Sequence, residues 1–346
     1  MLSSRCISQQ GHQRVAAAHE AGIESADRAA DDFGCLLVGI AFDHHEQHGL
    51  ALVFRQFLHY AIHVGQFDRG FLRAVAADFY GTDQEVGAEF CGVINKSFPD
   101  GERYIRILRN VAGHEVTVVQ NTFPDESIVE LLLLLEALRE AGATSITTVI
   151  PYMGYARQER TFQRGETVSA RAVARPIGAL SDRVFTVSVH IDEVLSFFDC
   201  PAQDVDGLQE AVRYLKGFEP GLVVAPDGGA RGWCARAARQ LKAPLHVMSK
   251  TRVDDRTVET DSGKVTVKGL TVVILDDIIS TGGTIASAAR LLKKAGAGQV
   301  LAACTHGLFI EDAANRLRVC DDILSSDTLE GIYTRYSVAP AIAAAL

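Results

Sequence analysis

Residues 271–292, TVVILDDIISTGGTIASAARLL, combine two acidic residues with a loop of small and hydroxylated residues. Asp276 and Asp277 follow an apolar run typical of a buried strand. The loop that comes next consists of Ser280, Thr281, Gly282, Gly283 and Thr284. Glycines let a backbone approach an anion, hydroxyls donate hydrogen bonds, and a helix N-terminus carries partial positive charge, so the loop predicts a phosphate site. Carboxylates accept hydrogen bonds or bind cations, so the acidic pair suits vicinal hydroxyls, a bound cation or both. A sugar phosphate has both features.

Two cations, Lys250 and Arg252, lie two residues apart after the β-rich run PLHVM. In an extended segment they share one face, so both could reach the same anionic group. An ordinary pair of exposed loop residues is the alternative, and the two residues alone favour it.

The segment DHHEQHG near the N-terminus holds Asp43, His44, His45, Glu46 and His48. His44 and His48 would share one face of a helix, which makes a metal site conceivable. A solvated extension explains the cluster more simply, and it is the preferred interpretation.

Strand and helix patterns alternate regularly from about residue 61 onwards, which predicts parallel sheets in α/β domains. The strands AIHVG, YIRIL, EVTVVQ, SITTVIP and RVFTVSVH precede GLVVAP, TVVILDD and QVLAACTHGL, with amphipathic helices between them. At about 150 residues per domain, the 346 residues predict an N-terminal extension of unclear structure over 1–60 and two domains over 61–205 and 206–346. Ligands of such sheets bind beyond the carboxyl ends of the strands, where the candidate residues stand.

Composition excludes several classes of function. The net charge of −9 gives no basic footprint for nucleic acid. The longest aliphatic block, IVELLLLLEALREAGA, is interrupted by Glu130 and Glu136 and falls short of a membrane span, and the N-terminus lacks the pattern of a signal peptide. Seven scattered cysteines without a CxxC motif indicate reduced thiols and a cytoplasmic protein.

VVILDDIISTGGT closely resembles the phosphoribosyl-diphosphate (PRPP) motif shared by type I phosphoribosyltransferases and ribose-phosphate pyrophosphokinases, the PRPP synthases. Further segments resemble the synthases in order: FPDGE, VIPYMGYARQER, VSVHIDEVLSFFD, VVAPDGGARG, MSKTR and the terminal YSVAPAIAAAL. The resemblance covers roughly residues 61–346, and its short length is closer to the archaeal type of synthase than to the longer bacterial type. It implies two similar domains of the type I phosphoribosyltransferase fold, with the last helix packing on the N-terminal domain.

The resemblance also implies a reaction and a site. A diphosphoryl group would pass from ATP to the C1 hydroxyl of ribose 5-phosphate, with Mg²⁺ as cofactor, giving PRPP and AMP. Such a reaction demands mainly positioning and electrostatic stabilisation from the protein. By resemblance, the catalytic residues are Lys250, Arg252 and His190, and the metal ligands are His190 and Asp227. ATP would contact Asp100, Gly101, Glu102, Arg157 and Gln158. The diphosphate would lie on Asp227, Gly228 and Gly229. Ribose 5-phosphate would be bound by Arg252, Asp276, Asp277 and the loop Ser280, Thr281, Gly282, Gly283 and Thr284.

Two positions depart from the synthase pattern. Glu159 stands where the family usually has Asp, and Ser188 replaces the usual acid two residues before His190. They leave open a catalytically impaired PRPP-synthase-associated regulatory subunit. A phosphoribosyltransferase that consumes PRPP is the other alternative, although it leaves FPDGE and YARQER unexplained. The resemblance further implies a homo-oligomer, a dimer or larger.

Overall fold

The computed structural model of the chain describes residues 35–39, 89–248, 257–260 and 263–346. The predicted AIHVG strand, the helix after it and the DHHEQHG cluster lie outside the described residues. Within the described ranges, no three His, Cys, Asp or Glu side chains are grouped to hold a metal ion, and no helix has the length and apolarity to cross a membrane.

The first domain is built on a six-stranded sheet whose strands are all parallel. In chain order these strands are β1 (Cys35–Gly39), β2 (Glu89–Cys91), β5 (Glu115–Val119), β6 (Ser145–Ile150), β7 (Arg183–Val187) and β8 (Ala202–Val205). Their spatial order is β2-β1-β5-β6-β7-β8, so residues 35–39, for which sequence predicted no regular element, supply the strand second from one edge. An antiparallel hairpin of β3 (Val93–Ser97) and β4 (Arg103–Ile107) stands apart from the sheet.

Helices α1 (Asp125–Glu140) and α2 (Ser169–Leu180) connect strands of this first sheet. Both lie where the apolar periodicity predicts helices, and α1 has acidic residues in its first turn, which suit the positive end of the helix dipole. A 3₁₀ turn, Asp192–Phe197, follows β7. The apolar faces of these elements form one core with the sheet.

The second domain repeats the design with another six-stranded parallel sheet, in the order β10-β9-β13-β14-β15-β16. Its strands are β9 (Leu222–Ala225), β10 (Leu245–Val247), β13 (Thr271–Ile279), β14 (Gln299–Gly307), β15 (Asp322–Ser326) and β16 (Thr334–Tyr336). A small antiparallel pair, β11 (Thr257–Thr260) and β12 (Gly263–Thr266), lies outside this sheet. Apolar clusters cover both faces of the sheet, which is why its central strands read as continuous apolar runs.

The helices of the second domain are α3 (Leu208–Leu215), α4 (Arg231–Leu241), α5 (Gly283–Lys294), α6 (Ala313–Arg316) and α7 (Ala339–Ala345). The last of them, α7, packs its Val338-to-Ala343 segment into the core of the first domain. The predicted α/β class with two parallel sheets flanked by helices is confirmed.

Strand β13 runs further than the apolar run TVVIL predicts. It continues through Asp276 and Asp277 to Ile279, because its neighbour β14 keeps pairing with it as far as Ile279 opposite Gly307. The two carboxylates therefore stand on a strand held by the sheet rather than on a free loop.

Candidate active site

The ends of two strands, one from each domain, meet at the junction of the domains. His190 follows β7 of the first domain by three residues, and Asp277 lies on β13 of the second. Nδ1 of His190 lies 2.6 Å from the Asp277 carboxylate. The sequence predicts both residues for the site, but it does not predict that they touch.

The carboxylates at this junction are electrostatically unequal. The hydrogen bond with Asp277 raises the pKa of His190 above its ordinary value, against the opposing effect of burial. Burial alone would raise the pKa of the Asp277 carboxyl, but the bond to His190 and its charge outweigh burial and leave that pKa lowered. Burial and the Asp277 charge raise the pKa of Asp276, whose Oδ1 accepts the Asp277 backbone N–H at 3.1 Å. Of the two carboxyls, Asp277 therefore loses its proton more readily.

The loop after β6 reaches the same place. The charge of Arg157 lowers the pKa of His190 and that of Glu159 raises it, so both side chains lie near the imidazole. Gln158 is held by the Ser169 hydroxyl, which donates to its Oε1 at 2.7 Å from the first residue of α2. Of the two predicted nucleotide contacts, Arg157 thus lies near His190, while Gln158 is fixed against the start of α2.

The hydroxyl-glycine loop links β13 to α5. Gly282 has φ +71°, and a Cβ there would lie 2.9 Å from Cγ of Leu317, so the position requires glycine. Arg316 donates from Nη1 to the Thr281 carbonyl at 3.0 Å and fixes the loop from behind. Gly283 and Thr284, at the start of the 12-residue helix, are exposed, and Ser280 precedes them on the same turn. The loop therefore presents the positive end of a helix dipole to solvent.

A second glycine turn follows β9. Oδ1 of Asp227 accepts the backbone N–H of Gly229 at 2.8 Å and that of Ala230 at 3.3 Å. The charge of Asp227 also raises the pKa of Asp276, which places this turn beside the acidic pair. Gly228 and Gly229 are exposed, and a Cβ on Gly228 would meet no atom within 4 Å.

The third predicted loop is the turn of the β3–β4 hairpin. Asp100 accepts the Glu102 backbone N–H at 3.1 Å, and Gly101 has φ +92°, so the PDG segment forms a tight exposed turn. Arg103 at the base of the hairpin forms an ion pair of 2.9 Å with Glu130 on α1, whose side chain is 0% exposed. Among the described residues, no hydrogen bond or ion pair joins the hairpin turn to His190 or Asp277.

Lys250 and Arg252 lie outside the described residues. Ser188 and Glu159, the two departures from the synthase pattern, are described. Ser188 is buried, and its hydroxyl accepts the Gly207 backbone N–H at 3.1 Å, while Glu159 pairs with Arg160 at 3.2 Å. Ser188 thus braces the turn that carries His190.

The donor set can accept a divalent cation. Nδ1 of His190 is bound to a carboxylate, which leaves Nε2 without a hydrogen bond among the described residues and suited to ligation. Asp227 and Asp277 bring negative charge to this region, since the charge of each raises the pKa of the buried Cys234 thiol. Mg²⁺ typically uses one or two protein ligands and completes its shell with water and substrate phosphates, so a three-residue cage is not required.

Two residues that support this site, His306 and Arg316, were not predicted from sequence. Arg316 is one of several arginines in a polar stretch, and nothing in the sequence distinguishes it. His306 follows the buried β-run on β14, which is typical of a residue near a ligand, but the sequence does not indicate which groups the imidazole contacts.

Comparison with known proteins places these features in one family. Residues 72–180 match the family model for the N-terminal domain of ribose phosphate pyrophosphokinase, and residues 202–334 match the phosphoribosyl transferase domain. A ribose-phosphate pyrophosphokinase of Methanosarcina mazei is 45% identical over 72% of this chain and 84% of its own length. One from Methanopyrus kandleri is 39% identical over 76% of this chain and 92% of its own length. The crystal structure of phosphoribosylpyrophosphate synthetase from Mycobacterium smegmatis superposes with a TM-score of 0.70 and 26% identity, covering 90% of this chain and 97% of that one.

Proposed function

The chain belongs to the ribose-phosphate pyrophosphokinase family and is an enzyme that makes PRPP, and we propose that it does so by moving the diphosphoryl group of ATP to the C1 hydroxyl of ribose 5-phosphate, releasing AMP. The observation that carries this proposal is the 2.6 Å contact between His190 and Asp277, which brings both domains to one reaction centre. The loop that carries Arg157 lies near that contact in the first domain, and the loop proposed for the sugar phosphate follows Asp277 in the second.

The second domain would bind the sugar phosphate. The exposed N-terminus of α5 and the Ser280–Thr284 hydroxyls suit its phosphate, and the acidic pair suits its 2- and 3-hydroxyls. Asp276 and Asp277 are fixed on a paired strand, so they orient the ribose with little loss of side-chain freedom on binding. The C1 hydroxyl would then point towards the junction of the domains.

The first domain would hold the nucleotide. Arg157 can fork onto phosphate oxygens beside His190, and Gln158 can hydrogen-bond the base or ribose. We assign Asp100, Gly101 and Glu102 to the base or ribose of ATP, and Asp227, Gly228 and Gly229 to the transferring diphosphate. Lys250 and Arg252 would stabilise the charge that develops on that group.

His190 and Asp227 would hold Mg²⁺ together with the phosphates of ATP. The ion supplies charge neutralisation across the polyphosphate and a fixed geometry for in-line attack. Asp277 contributes by holding the His190 ring in one orientation and one tautomer, with Nε2 free to ligate. We further propose that the enzyme is a cytoplasmic homo-oligomer, as the family resemblance implies.

A regulatory subunit without activity is the second candidate, because Glu159 and Ser188 differ from the synthase pattern. The contacts of Ser188 oppose it, since the hydroxyl supports the turn before His190 instead of leaving a gap. Glu159 retains a carboxylate near the imidazole.

An AMP-release assay with ATP, ribose 5-phosphate and varied divalent metal tests the proposal. We expect AMP and PRPP in equal amounts, metal dependence and loss of turnover in Lys250→Ala. A regulatory subunit would release no AMP under any donor or metal. A PRPP-consuming transferase would instead release pyrophosphate from PRPP only when a nucleobase is added.

A further inference from the structure

A buried polar cluster joins the two domains directly behind the His190–Asp277 contact. It consists of Asn121 and Tyr152 of the first domain and His306 and Thr328 of the second, all less than a tenth exposed. Buried polar groups cost free energy unless they are hydrogen-bonded, so a cluster of this kind needs complete pairing. The reaction scheme above does not use any of these residues.

His306 is the centre of the cluster. Its Nε2 lies 3.0 Å from the Val187 carbonyl and 3.3 Å from the Ser188 carbonyl, across the domain boundary. Carbonyls only accept hydrogen bonds, so Nε2 must carry the proton and donate to both. Nδ1 then accepts from the Thr328 hydroxyl at 2.9 Å. The Thr305 carbonyl, 3.1 Å from the same hydroxyl, is supplied by the Ser326 hydroxyl at 2.6 Å, which leaves the Thr328 proton for Nδ1. Burial lowers the pKa of His306 to about 4, which keeps the ring neutral and in this form.

Asn121 closes the other side of the cluster. Its amide donates to the Thr328 carbonyl at 2.8 Å, and its oxygen accepts the Tyr152 backbone N–H at 2.8 Å. The Tyr152 ring lies 5.0 Å from the His306 ring. The ends of β5, β6 and β7 are thereby tied to the ends of β14 and β15.

The carbonyls that His306 binds belong to a strained part of the backbone. Ser188 has φ +45°, a conformation that non-glycine residues rarely adopt and that must be stabilised by its surroundings. The Ser188 N–H donates to the Val205 carbonyl at 2.9 Å, and the Ser188 carbonyl accepts from Nε2 of His306. His190 follows only two residues later, so the path of this turn decides where the imidazole of His190 stands.

We propose that His306 is a positioning residue for the reaction: by donating from Nε2 to the Val187 and Ser188 carbonyls, it holds the turn that presents His190 to Asp277. The inference rests on the proposed function, because it assumes that the His190–Asp277 contact serves diphosphoryl transfer. His306 itself touches no reacting group.

The test compares variants that keep or remove the donor. His306→Leu has similar volume but no hydrogen bond, whereas His306→Gln can place an amide N–H toward the two carbonyls. Ser325→Ala is the matched control, since Ser325 is equally buried on the neighbouring strand and its hydroxyl has no partner among the described residues. For each variant, kcat and KM are measured well below its melting temperature and normalised to folded protein.

We expect His306→Leu to lower kcat by at least about tenfold, because small displacements of reacting groups are costly. KM for ribose 5-phosphate should change little, since its loop lies within one domain. His306→Gln should recover kcat to within about threefold of the parent enzyme, and Ser325→Ala should match the parent. A lowered melting temperature with unchanged kcat in His306→Leu would overturn the proposal, as would a Gln variant no better than Leu.

Thr328→Val provides a second route if His306→Leu does not fold. It removes the hydroxyl that donates to Nδ1 and that also lies 3.0 Å from the Ser326 hydroxyl, but it leaves the imidazole in place. The kcat should fall in the same direction, and an unchanged kcat would contradict the inference. His190→Ala distinguishes failure of the proposed active site from failure of the positioning role of His306. If it keeps full turnover, the proposed site is wrong; if it loses turnover while His306→Leu and Thr328→Val do not, only the positioning role is wrong.

Discussion

At the scale of single residues, the environment gives identical side chains different roles. His190 is partly exposed beside a carboxylate that raises its pKa, whereas His306 is fully buried and has its pKa lowered to about 4. Asp277 is ionised against an imidazole, while burial and the charge of Asp277 raise the pKa of Asp276. The sequence names these residues, but the distribution of charge among them follows from contacts that only the fold creates.

His306 should make stability depend on pH. The pKa of His306 is about 4 in the folded state and about 6.5 in the unfolded state. Its contribution to the free energy of unfolding is therefore complete above pH 6.5 and is lost as the pH falls towards 4. Glutamine does not titrate, so the advantage of the parent over His306→Gln in unfolding free energy should shrink by about 3 kcal/mol across that window. Urea unfolding at several pH values measures it.

The informative quantity is the difference in unfolding free energy between the parent and His306→Gln at each pH. Other titratable groups change the stability of both proteins in the opposite direction as the pH falls. Burial raises the pKa of Asp204 and of Asp327 to about 6, so both favour the folded state as the pH falls through 6. These acids are common to both proteins and cancel. A parent-to-variant difference that stays constant from pH 7 to pH 4 would contradict the assigned state of His306.

Gly282 should tolerate no side chain. Its φ of +71° and the 2.9 Å approach of a Cβ to Leu317 predict that Gly282→Ala loses about 1–3 kcal/mol of unfolding free energy. Gly283→Ala is the control, because a Cβ there has no neighbour nearer than 4.0 Å and the residue begins α5. Equal stability of the two variants, measured by urea unfolding, would show that the loop conformation differs from the one described.

At the scale of elements, two loops owe their shape to neighbours distant in sequence. The hydroxyl-glycine loop is supported by Arg316 and Leu317, which lie more than thirty residues further along the chain. The β3–β4 hairpin is anchored on α1 through Arg103 and Glu130. In both cases the motif is local, but the residues that hold it in place are not.

Arg316→Met should weaken binding of the sugar phosphate. It removes the hydrogen bond to the Thr281 carbonyl but keeps most of the apolar stem that packs near the loop. We expect KM for ribose 5-phosphate to rise roughly fivefold, the equivalent of about 1 kcal/mol, with KM for ATP unchanged. Steady-state kinetics with each substrate varied separately measures the effect.

Arg318→Met is the control for that substitution, since Arg318 carries the same charge two residues away and is exposed. It should leave both KM values unchanged. If the two variants raised KM for ribose 5-phosphate equally, the effect would come from net charge and not from support of the loop.

Glu130→Ala should loosen the β3–β4 hairpin from α1. The substitution removes the buried partner and leaves Arg103, which is partly exposed, so we expect a loss of about 1–3 kcal/mol at the contact between β4 and α1. Glu136→Ala, an exposed position on the same helix, should cost less than about 0.5 kcal/mol. Urea unfolding compares the two. If Glu130→Ala were as stable as Glu136→Ala, the Arg103–Glu130 ion pair would not stabilise the hairpin.

Most elements between residues 103 and 307 could be predicted from sequence, because buried parallel strands are apolar runs and surface helices are amphipathic. Three features could not. Cys35–Gly39 lies in a segment without alternation, and its place beside β5 depends on pairing across about eighty residues. β13 extends through two aspartates because β14 continues to pair with it. Short Ala202–Val205 joins the first sheet through β7, although its residues show little β-propensity.

The candidate site likewise has one part that could be predicted from sequence and one part that could not. The acidic pair and the hydroxyl-glycine loop are contiguous in sequence, so the chemistry of a sugar-phosphate site could be predicted from them. The His190–Asp277 contact and the His306 cluster each join residues about ninety or more positions apart. No pattern in either segment specifies the partner.

At the scale of the whole molecule, the two domains are joined by more than the active site. Helix α7 of the second half packs Val338, Ala339, Ile342 and Ala343 into the core of the first domain. Asp327 accepts the Val338 backbone N–H at 2.9 Å and so links the start of α7 to the end of β15. Together with the His306 cluster, these contacts join the two domains in addition to the His190–Asp277 contact.

A double-mutant cycle tests most directly whether the two domains share one reaction centre at the His190–Asp277 contact. His190→Ala, Asp277→Asn and the double variant are compared by kcat for AMP release, with His190→Ala combined with Glu136→Gln as the reference for independent sites. Residues acting as a unit give non-additive losses, so the double variant should be little slower than the slower single variant. If the losses of the two single variants instead multiplied, as those of the reference pair should, the two residues would act independently and the shared centre would be contradicted.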